Sequence, residues 1–251
     1  ISESINNPLE YYNCNVVNTI RLLEKMEKYG VKNIIFSSSA TVYNPKSKSP
    51  LNEDQHVYYP DNPYSQSKYI IEKILKELSC SRNFNVGILR YFNPIGCHSS
   101  GIIGENLVHE AGNLIPSIIK VINKSSPTLE IYGNDYFTKD GTGVRDYLHI
   151  DDLVEGHIKA LAYIKKNRGY HLWNLGSGKG YSVLEIIHAF EKELNYHLPY
   201  IFKKRRKGDI DQYWADIGKA KDELNWDSNF KLDQIVKNVL NYTNIYSNKV
   251  L

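Results

Sequence analysis

Apolar and polar residues along the first hundred positions alternate between helical and strand-like spacing. From Pro8 to Gly30, apolar residues recur every three or four positions, which predicts an amphipathic helix with proline in its first turn. Residues 31–36 (VKNIIF) form a short β-branched run that predicts a buried strand. A second amphipathic helix is predicted over 63–79 and a second strand over 85–91 (NVGILRY). This order indicates parallel strands joined by helical crossovers, and therefore an α/β sheet.

The pattern loosens after Pro94, although helices and strands can still be recognised. The further predictions are helices at 114–122 (LIPSIIKVI), from about Asp151, at 182–194 (SVLEIIHAFEKEL) and at 231–242 (KLDQIVKNVLNY), and strands at 129–133 (LEIYG) and 171–176 (HLWNLG). We therefore expect a domain boundary near residue 95. It would separate domains over 1–94 and 95–251, with some later segments returning to the first sheet.

Composition is that of an ordinary soluble globular protein. The 251 residues are 41% hydrophobic and 24% charged, with a formal net charge of +3. This charge creates no strong field for nucleic acid or a membrane, and we find neither a signal peptide nor a long apolar run. Three cysteines without CxxC spacing and eight histidines without HExxH predict neither a disulfide framework nor a metal site. Such cysteine usage fits a cytoplasmic setting.

Polar residues follow both predicted strands of the first domain. Serines occupy positions 37–39 after the first strand, and Tyr-Phe-Asn occupies positions 91–93 at the end of the second. In open parallel sheets, ligands bind outside the carboxyl ends of the strands. The two strand ends are therefore candidate parts of a ligand site.

The helix between these strands carries Tyr64 and Lys68, four positions apart and so on one helical face. A neighbouring ammonium favours the tyrosinate, because it lowers the tyrosine pKa from about 10. A tyrosine in that state is a candidate general base. The same spacing occurs elsewhere, with a solvated helix face as the plain alternative, at Tyr69/Lys73 and Tyr200/Lys204. The serine-rich strand end before it distinguishes the first pair.

Longer motifs carry a resemblance to a known family. The segments SSSATVY, NPYSQSK and LRYFNPIG, in this order and spacing, resemble the extended short-chain dehydrogenase/reductase superfamily. The segments GNDYFTKDGTGVRDYLHIDDL and WNLGSGKGYSV, and RRKGD followed by YWAD, narrow the resemblance to the UDP-glucose (UDP-galactose) 4-epimerase family. The likeness runs from residue 1 to about residue 240.

The resemblance implies a Rossmann-like doubly wound parallel sheet with a smaller α/β substrate-binding domain. Residues 1–94 would be the C-terminal half of the NAD-binding domain, and 95–251 mainly the UDP-sugar-binding domain. The family fold begins with a strand, a GxxGxxG turn and a helix that hold the dinucleotide pyrophosphate. These 251 residues lack that segment, so we expect a fragment or a truncated product. The glycine cluster at 176–180 is an alternative dinucleotide loop, but in the family this segment belongs to the sugar-nucleotide half.

The resemblance further implies NAD as a tightly bound cofactor and assigns catalytic roles. Tyr64 would take the proton of the sugar 4-hydroxyl during oxidation at C4, and Ser39 would hydrogen-bond the sugar oxygen and relay the proton. Lys68 would hydrogen-bond the cofactor ribose and, with the cationic nicotinamide, lower the pKa of Tyr64. The implied cofactor-binding residues are Ser37, Ser38, Tyr64, Lys68 and Tyr91.

A substrate site follows from the same resemblance. Its residues would be Ser39, Phe92, Asn93, Asn113, Leu114, Tyr132, Arg145, Arg206, Asp209 and Tyr213. Arg145 and Arg206 suit the diphosphate, since guanidinium groups bind phosphate oxygens bidentately. Tyr132 would lie near the uridine and Asp209 would contact the ribose. Tyr213 stands where a smaller residue in some members admits N-acetylated sugars, so we expect a preference for UDP-glucose and UDP-galactose.

Some of these residues have simpler explanations. Asn93 can cap a turn, Arg145 can pair with Asp146 or Asp152 on the surface, and the basic run at 203–207 can be a nuclear-localisation or nucleic-acid patch.

Two positions depart from the family pattern. Cys14 stands where bacterial relatives commonly have asparagine on the cofactor side, so we do not count Cys14 as a ligand. Gly112 replaces the first asparagine of the motif GxDPxGxPNNLxP, which leaves the nucleotide packing around Asn113 less defined.

The implied function is the interconversion of UDP-galactose and UDP-glucose in galactose metabolism. One alternative is a truncated, catalytically inactive sugar-nucleotide-binding module. Another is a different NAD-dependent sugar-nucleotide epimerase or decarboxylase. The segment 39–41 (Ser-Ala-Thr) lacks the carboxylate pair that related 4,6-dehydratases use for elimination. We also expect a homodimer through helices 8–29 and 63–79, with no nucleic-acid or membrane partner.

Overall fold

The structure, a computed structural model, describes residues 2–55, 57, 60–105, 113–206 and 208–247. Its helices are, in chain order, α1 (Ser2–Asn6), α2 (Pro8–Tyr11), α3 (Asn18–Lys28), α4 (Pro63–Arg82), α5 (Leu114–Ile122), α6 (Ile150–Lys166), α7 (Val183–Leu194), α8 (Gly218–Leu224) and α9 (Leu232–Ser247). Its strands are β1 (Asn33–Ser39), β2 (Asn85–Tyr91), β3 (Asn93–Ile95), β4 (Leu129–Tyr132), β5 (Val144–Arg145), β6 (Tyr147–His149), β7 (Tyr170–Leu175), β8 (Tyr181–Ser182), β9 (Tyr200–Lys203) and β10 (Gln212–Tyr213). Within the described ranges, no helix combines the length and apolar character needed to cross a membrane.

Residues 1–92, 154–175 and 215–227 form the first of two compact units. Its sheet has the order β1-β2-β7, and both pairings are parallel. The predicted parallel α/β sheet is thereby confirmed. Strand β1 continues through the three serines, beyond the apolar run that predicted it, because their backbone pairs with residues 89–91 of β2. A strand ladder is built from backbone hydrogen bonds, so polar residues can extend it.

The first predicted helix is interrupted by a π-helical turn at Tyr12–Val17, between α2 and α3. Within this turn the Tyr12 hydroxyl donates to Gln66 Oε1 at 2.5 Å, and Asn15 donates to Ser67 Oγ at 2.8 Å. A π turn inserts extra backbone without ending the helix. Apolar spacing therefore predicted the helix and its end, but not the bulge.

Helix α4 begins and ends with clear local signals. The side chain of Asn62 accepts from the backbone N–H of Ser65 at 2.9 Å, and Pro63 occupies the first turn. The helix extends to Arg82 and ends at Asn83, which has a φ of 57°. The core beneath it is made of Leu23, Ile71, Leu75, Phe84, Val86 and Ile88.

Residues 93–153, 176–214 and 228–251 form the second unit. Short sheets build it, with the orders β10-β5-β8, β3-β6 and β4-β9. Its core joins α5, α7 and α9 through residues such as Ile118, Ile187 and Val239. Helix α7 begins with a capping box, in which Ser182 accepts from the Glu185 backbone N–H while the Glu185 carboxylate accepts from Ser182.

Candidate active site

Tyr64 lies in the first turn of α4, which Asn62 caps. Burial raises the pKa of Tyr64, and the side chain of Ser39, at the end of β1, lowers it by less. The Ser39 Oγ accepts from the N–H and hydroxyl of Thr41, at 3.2 and 3.0 Å. Because both donors come from Thr41, the hydroxyl hydrogen of Ser39 is available to a further acceptor.

Lys68 lies one turn further along α4, and its Nζ donates to the backbone oxygen of Ser37 at 3.0 Å. Its Nζ is 5.8 Å from the ring centre of Tyr64 and 5.2 Å from that of Phe36. Burial lowers the pKa of Lys68. Among the described residues, this ammonium donates one hydrogen bond and so has further N–H groups for a ligand.

A buried ion pair underlies the serine strand. Arg90 donates to both oxygens of Glu72, at 3.0 and 2.6 Å, and each side chain is 4% exposed. Ser38 donates to the same carboxylate at 2.5 Å, and the Arg90 guanidinium lies 4.7 Å from the ring centre of Tyr43. The hydroxyl of Ser38 is thus engaged in the core, and its predicted contact with a cofactor stays a prediction.

Ser37 and Tyr91 share a neighbour that the sequence pattern did not indicate. The Ser37 Oγ is 3.0 Å from Nε2 of His157, and the Tyr91 and His157 rings lie 6.2 Å apart. The end of the parallel sheet therefore brings together hydroxyl, ammonium and imidazole groups within the first unit.

The second unit contains a cavity of about 520 Å³, within the size range of small-ligand sites. Seven of the predicted substrate-binding residues line it: Asn93, Asn113, Leu114, Tyr132, Arg145, Arg206 and Asp209. Chain segments far apart in sequence therefore contribute to one cavity.

Cations and carboxylates line this cavity. Arg206 Nε donates to Asp209 Oδ2 at 3.1 Å, and the guanidinium lies 5.1 Å from the ring centre of Tyr132. Arg145 donates to the backbone oxygen of its neighbour Val144 at 2.8 Å. A guanidinium held by a carbonyl keeps its charge for an anionic ligand.

Comparisons with known proteins show the family of the chain. The sequence model of the family described as GDP-mannose 4,6 dehydratase matches residues 1–239. A UDP-glucose 4-epimerase from Bacillus subtilis (strain 168) is 48% identical over 239 residues, which cover 94% of the chain and 69% of the relative. The chain belongs to the UDP-glucose 4-epimerase family.

Solved structures of epimerases resemble the chain in fold. The UDP-glucose 4-epimerase from Stenotrophomonas maltophila, with bound NAD and formylated UDP-arabinopyranose, has a TM-score of 0.95 and 36% identity. The match covers 99% of the chain and 74% of that structure. The enzyme from Bifidobacterium longum, in complex with NAD+ and UDP, has a TM-score of 0.91 and 42% identity, covering 98% and 73%. The Rossmann-like fold class is confirmed.

Other residues predicted from the epimerase family lie outside the cavity lining. Phe92 belongs to the first unit and is 8% exposed, and Tyr213 in β10 is 9% exposed and pairs with Arg145 of β5. Gly112 lies outside the described residues, whereas Asn113 precedes α5 and its backbone oxygen accepts from Ser117. The individual roles of these residues in an epimerase site stay predictions.

The structure also bears on the simpler explanations given for Arg145 and for the basic run at 203–207. Asp146 accepts from the backbone N–H of Ser177 at 2.6 Å, and Asp152 accepts from that of Phe230 at 3.1 Å, so both carboxylates serve loops of the second unit. Acidic partners pair with three residues of the basic run, in the pairs Lys203–Glu130, Arg205–Asp135 and Arg206–Asp209. This pairing disfavours a nucleic-acid patch.

Sequence reasoning did not single out three residues: Glu72, His157 and Tyr136. The partner Glu72 could have been inferred from Arg90, because a charged residue within an apolar strand requires a buried group of opposite charge. His157 and Tyr136 carried no such signal, since neither belongs to a short catalytic spacing.

Proposed function

We propose that this chain carries the catalytic residues of an enzyme that interconverts UDP-galactose and UDP-glucose in galactose metabolism. The observation that carries the proposal is the placement of Lys68 Nζ 5.8 Å from the ring centre of Tyr64, where the same Nζ donates to Ser37 near the carboxyl end of a parallel strand. An alcohol at C4 of a sugar loses a proton and a hydride in such a reaction. A tyrosine on the helix that follows β1 suits the proton, and a dinucleotide suits the hydride.

The residues present fit NAD on the side of Lys68. The desolvated ammonium retains donors for ribose hydroxyls, and Ser37, Ser38 and Tyr91 are proposed to line the same side. The epimerases from S. maltophila and B. longum, which resemble the chain in fold, were crystallised with this dinucleotide. When bound, NAD supplies a reversible acceptor for the hydride at C4.

Tyr64 is proposed to take the proton of the 4-hydroxyl and later return it, and Ser39 to orient the sugar oxygen. Burial raises the pKa of Tyr64, so the phenol is protonated at neutral pH unless a positive charge stabilises the phenolate. Lys68, at 5.8 Å from the ring centre, is the cation proposed to do so. We therefore expect Tyr64 to act as a base only when a positive charge such as that of Lys68 lies close to its phenol.

The second unit is proposed to hold the nucleotide. Arg145 and Arg206 would bind the diphosphate, Tyr132 would pack against the uridine and Asp209 would accept from the ribose. These four residues line the cavity, which supports the assignment. Asn93, Asn113 and Leu114 are proposed to complete the cavity wall, and Phe92 and Tyr213 to contact the sugar.

A homodimer through 8–29 and 63–79 is also proposed, in a cytoplasmic enzyme. The first helical segment exposes Leu9 and Leu22, at 77% and 54%, and large exposed apolar side chains favour an interface. Light scattering on the protein as it elutes from a size-exclusion column would give the mass of the assembly directly. A monomer at micromolar concentration would contradict this part of the proposal.

The assay for the main proposal is conversion of UDP-galactose to UDP-glucose by the intact protein. Tyr64→Phe removes the phenol oxygen and should lower the rate by about 100-fold or more, the usual contribution of a general base. Tyr69→Phe is the matched control, because Tyr69 has the same spacing to Lys73, whose Nζ lies 5.3 Å from its ring centre. Equal rates for both variants would contradict the proposal. Binding of UDP without any conversion would indicate a binding module.

A further inference from the structure

Tyr136 lies in the loop between β4 and β5 and is 5% exposed, yet it lines the cavity of the second unit. Its hydroxyl donates to Oδ2 of Asp209 at 3.2 Å. The same oxygen accepts from Arg206 Nε at 3.1 Å. Asp209 therefore accepts from both the neutral hydroxyl of Tyr136 and the cationic guanidinium of Arg206. Burial and the negative charge of Asp209 raise the pKa of Tyr136, which keeps the phenol protonated as a donor.

Two neighbours fix the ring of Tyr136. The guanidinium of Arg205 lies 4.0 Å from the ring centre, and Arg205 is itself fixed by Asp135 at 2.7 Å and by Asp211 at 3.3 Å. A Cβ at Gly133 would lie 2.4 Å from Cε2 of Tyr136, and Gly133 has a φ of +87°. Only glycine leaves the ring this position without strain.

The two neighbouring arginines consequently differ in what they can do. Arg205 is bound to Asp135 and Asp211 and stacks on the ring, whereas Arg206 lines the cavity and its side chain is 52% exposed. A diphosphate in the cavity would compete with Asp209 for the Arg206 guanidinium. If that guanidinium turns away, Tyr136 is the donor that still holds Asp209.

We propose that Tyr136 is a positioning residue: it keeps Asp209 oriented towards the nucleotide while Arg206 turns to the diphosphate. This inference rests on the proposed function, because it takes a uridine diphosphate as the ligand of the cavity. Tyr136 itself acts through Asp209. Arg205 and Gly133 act indirectly, because they fix the ring of Tyr136, which in turn orients Asp209.

Calorimetric titration of the full chain with UDP tests the inference. Tyr136→Phe should weaken UDP binding about tenfold, as expected for one hydrogen bond to a carboxylate. Tyr200→Phe removes a hydroxyl from strand β9 and should leave the affinity unchanged. Arg205→Met keeps the stem but removes the cation from the ring, and should weaken binding about threefold. Thermal unfolding of each variant reports whether it is folded.

The double variant separates positioning from a general loss of structure. If Tyr136 acts through Asp209, then Tyr136→Phe adds no further loss of affinity to Asp209→Ala. Losses that multiply would overturn the inference, and so would wild-type affinity in Tyr136→Phe. Should Tyr136→Phe fail to fold, Arg205→Met in the Asp209→Ala background decides by the same criterion.

The two proposals fail in distinguishable ways. Absence of UDP binding by the unmodified chain would overturn both. UDP binding that Tyr136→Phe leaves unchanged would overturn the positioning role alone. UDP binding with the expected coupling but no epimerisation by the intact protein would overturn only the proposed activity.

Discussion

Arg90 donates two hydrogen bonds to the carboxylate of Glu72, and each side chain is 4% exposed. The pair joins strand β2 to helix α4, the helix that carries Tyr64 and Lys68. Ser38 adds a third donor to this carboxylate at 2.5 Å. The orientation of the catalytic helix against the strand end therefore depends on a buried charge being matched.

Glu72→Gln should lower the free energy of unfolding by about 3–5 kcal/mol, because it leaves Arg90 buried without a counter-charge. Urea denaturation measures this change. Glu77→Gln is the matched control, since Glu77 lies on the exposed face of the same helix and its loss should change stability by less than about 0.5 kcal/mol. Equal stabilities of the two variants would contradict the account.

The pH dependence of turnover should respond to Ser39. The side chain of Ser39 lowers the pKa of Tyr64. Removing its hydroxyl in Ser39→Ala raises that pKa further, and the deprotonated base is then available only at higher pH. The acidic limb of the kcat profile should therefore shift to higher pH. A shift to lower pH, or none, would show that Tyr64 is not the titrating base.

Lys68→Met should act on the cofactor as well as on the rate. The variant removes the ammonium proposed to bind ribose hydroxyls, so the NAD content of the purified intact protein should fall together with kcat. Lys73→Met on the same helix is the control and should retain both. Normal NAD content in Lys68→Met would contradict the proposed role of this lysine in binding the cofactor.

The size of Tyr213 should restrict the sugar. This side chain is 9% exposed in β10, and replacing it by serine opens space without adding charge. Tyr213→Ser should turn over UDP-N-acetylglucosamine at least about tenfold faster than the unmodified protein, a ratio typical of pocket-size discrimination. Robust turnover of the N-acetylated sugar by the unmodified protein would contradict the proposed restriction.

Much of the fold could be predicted because its periodicities are local. The helix and strand spacing over 8–30, 63–79 and 85–91 survives in the structure, with helix ends displaced by a few residues. Side-chain contacts between segments that are distant in sequence produce no comparable periodic pattern. The carboxylate that matches Arg90, and the contact of Tyr136 with Asp209, join residues that only the folded chain brings together. The bulge at Tyr12–Val17 likewise depends on contacts with α4.

The most direct test follows the hydrogen at C4. UDP-galactose carrying deuterium at C4 is converted by the intact protein, and the UDP-glucose formed is examined by NMR and mass spectrometry. Oxidation and reduction at one carbon with a cofactor that stays bound predicts that the labelled substrate keeps its deuterium at C4 in ordinary water, that unlabelled substrate gains none from deuterated solvent, and that deuterium at C4 slows the conversion. Loss of the label to ordinary water, entry of solvent deuterium at C4, or a rate that deuterium at C4 leaves unchanged in single-turnover measurements would contradict the account.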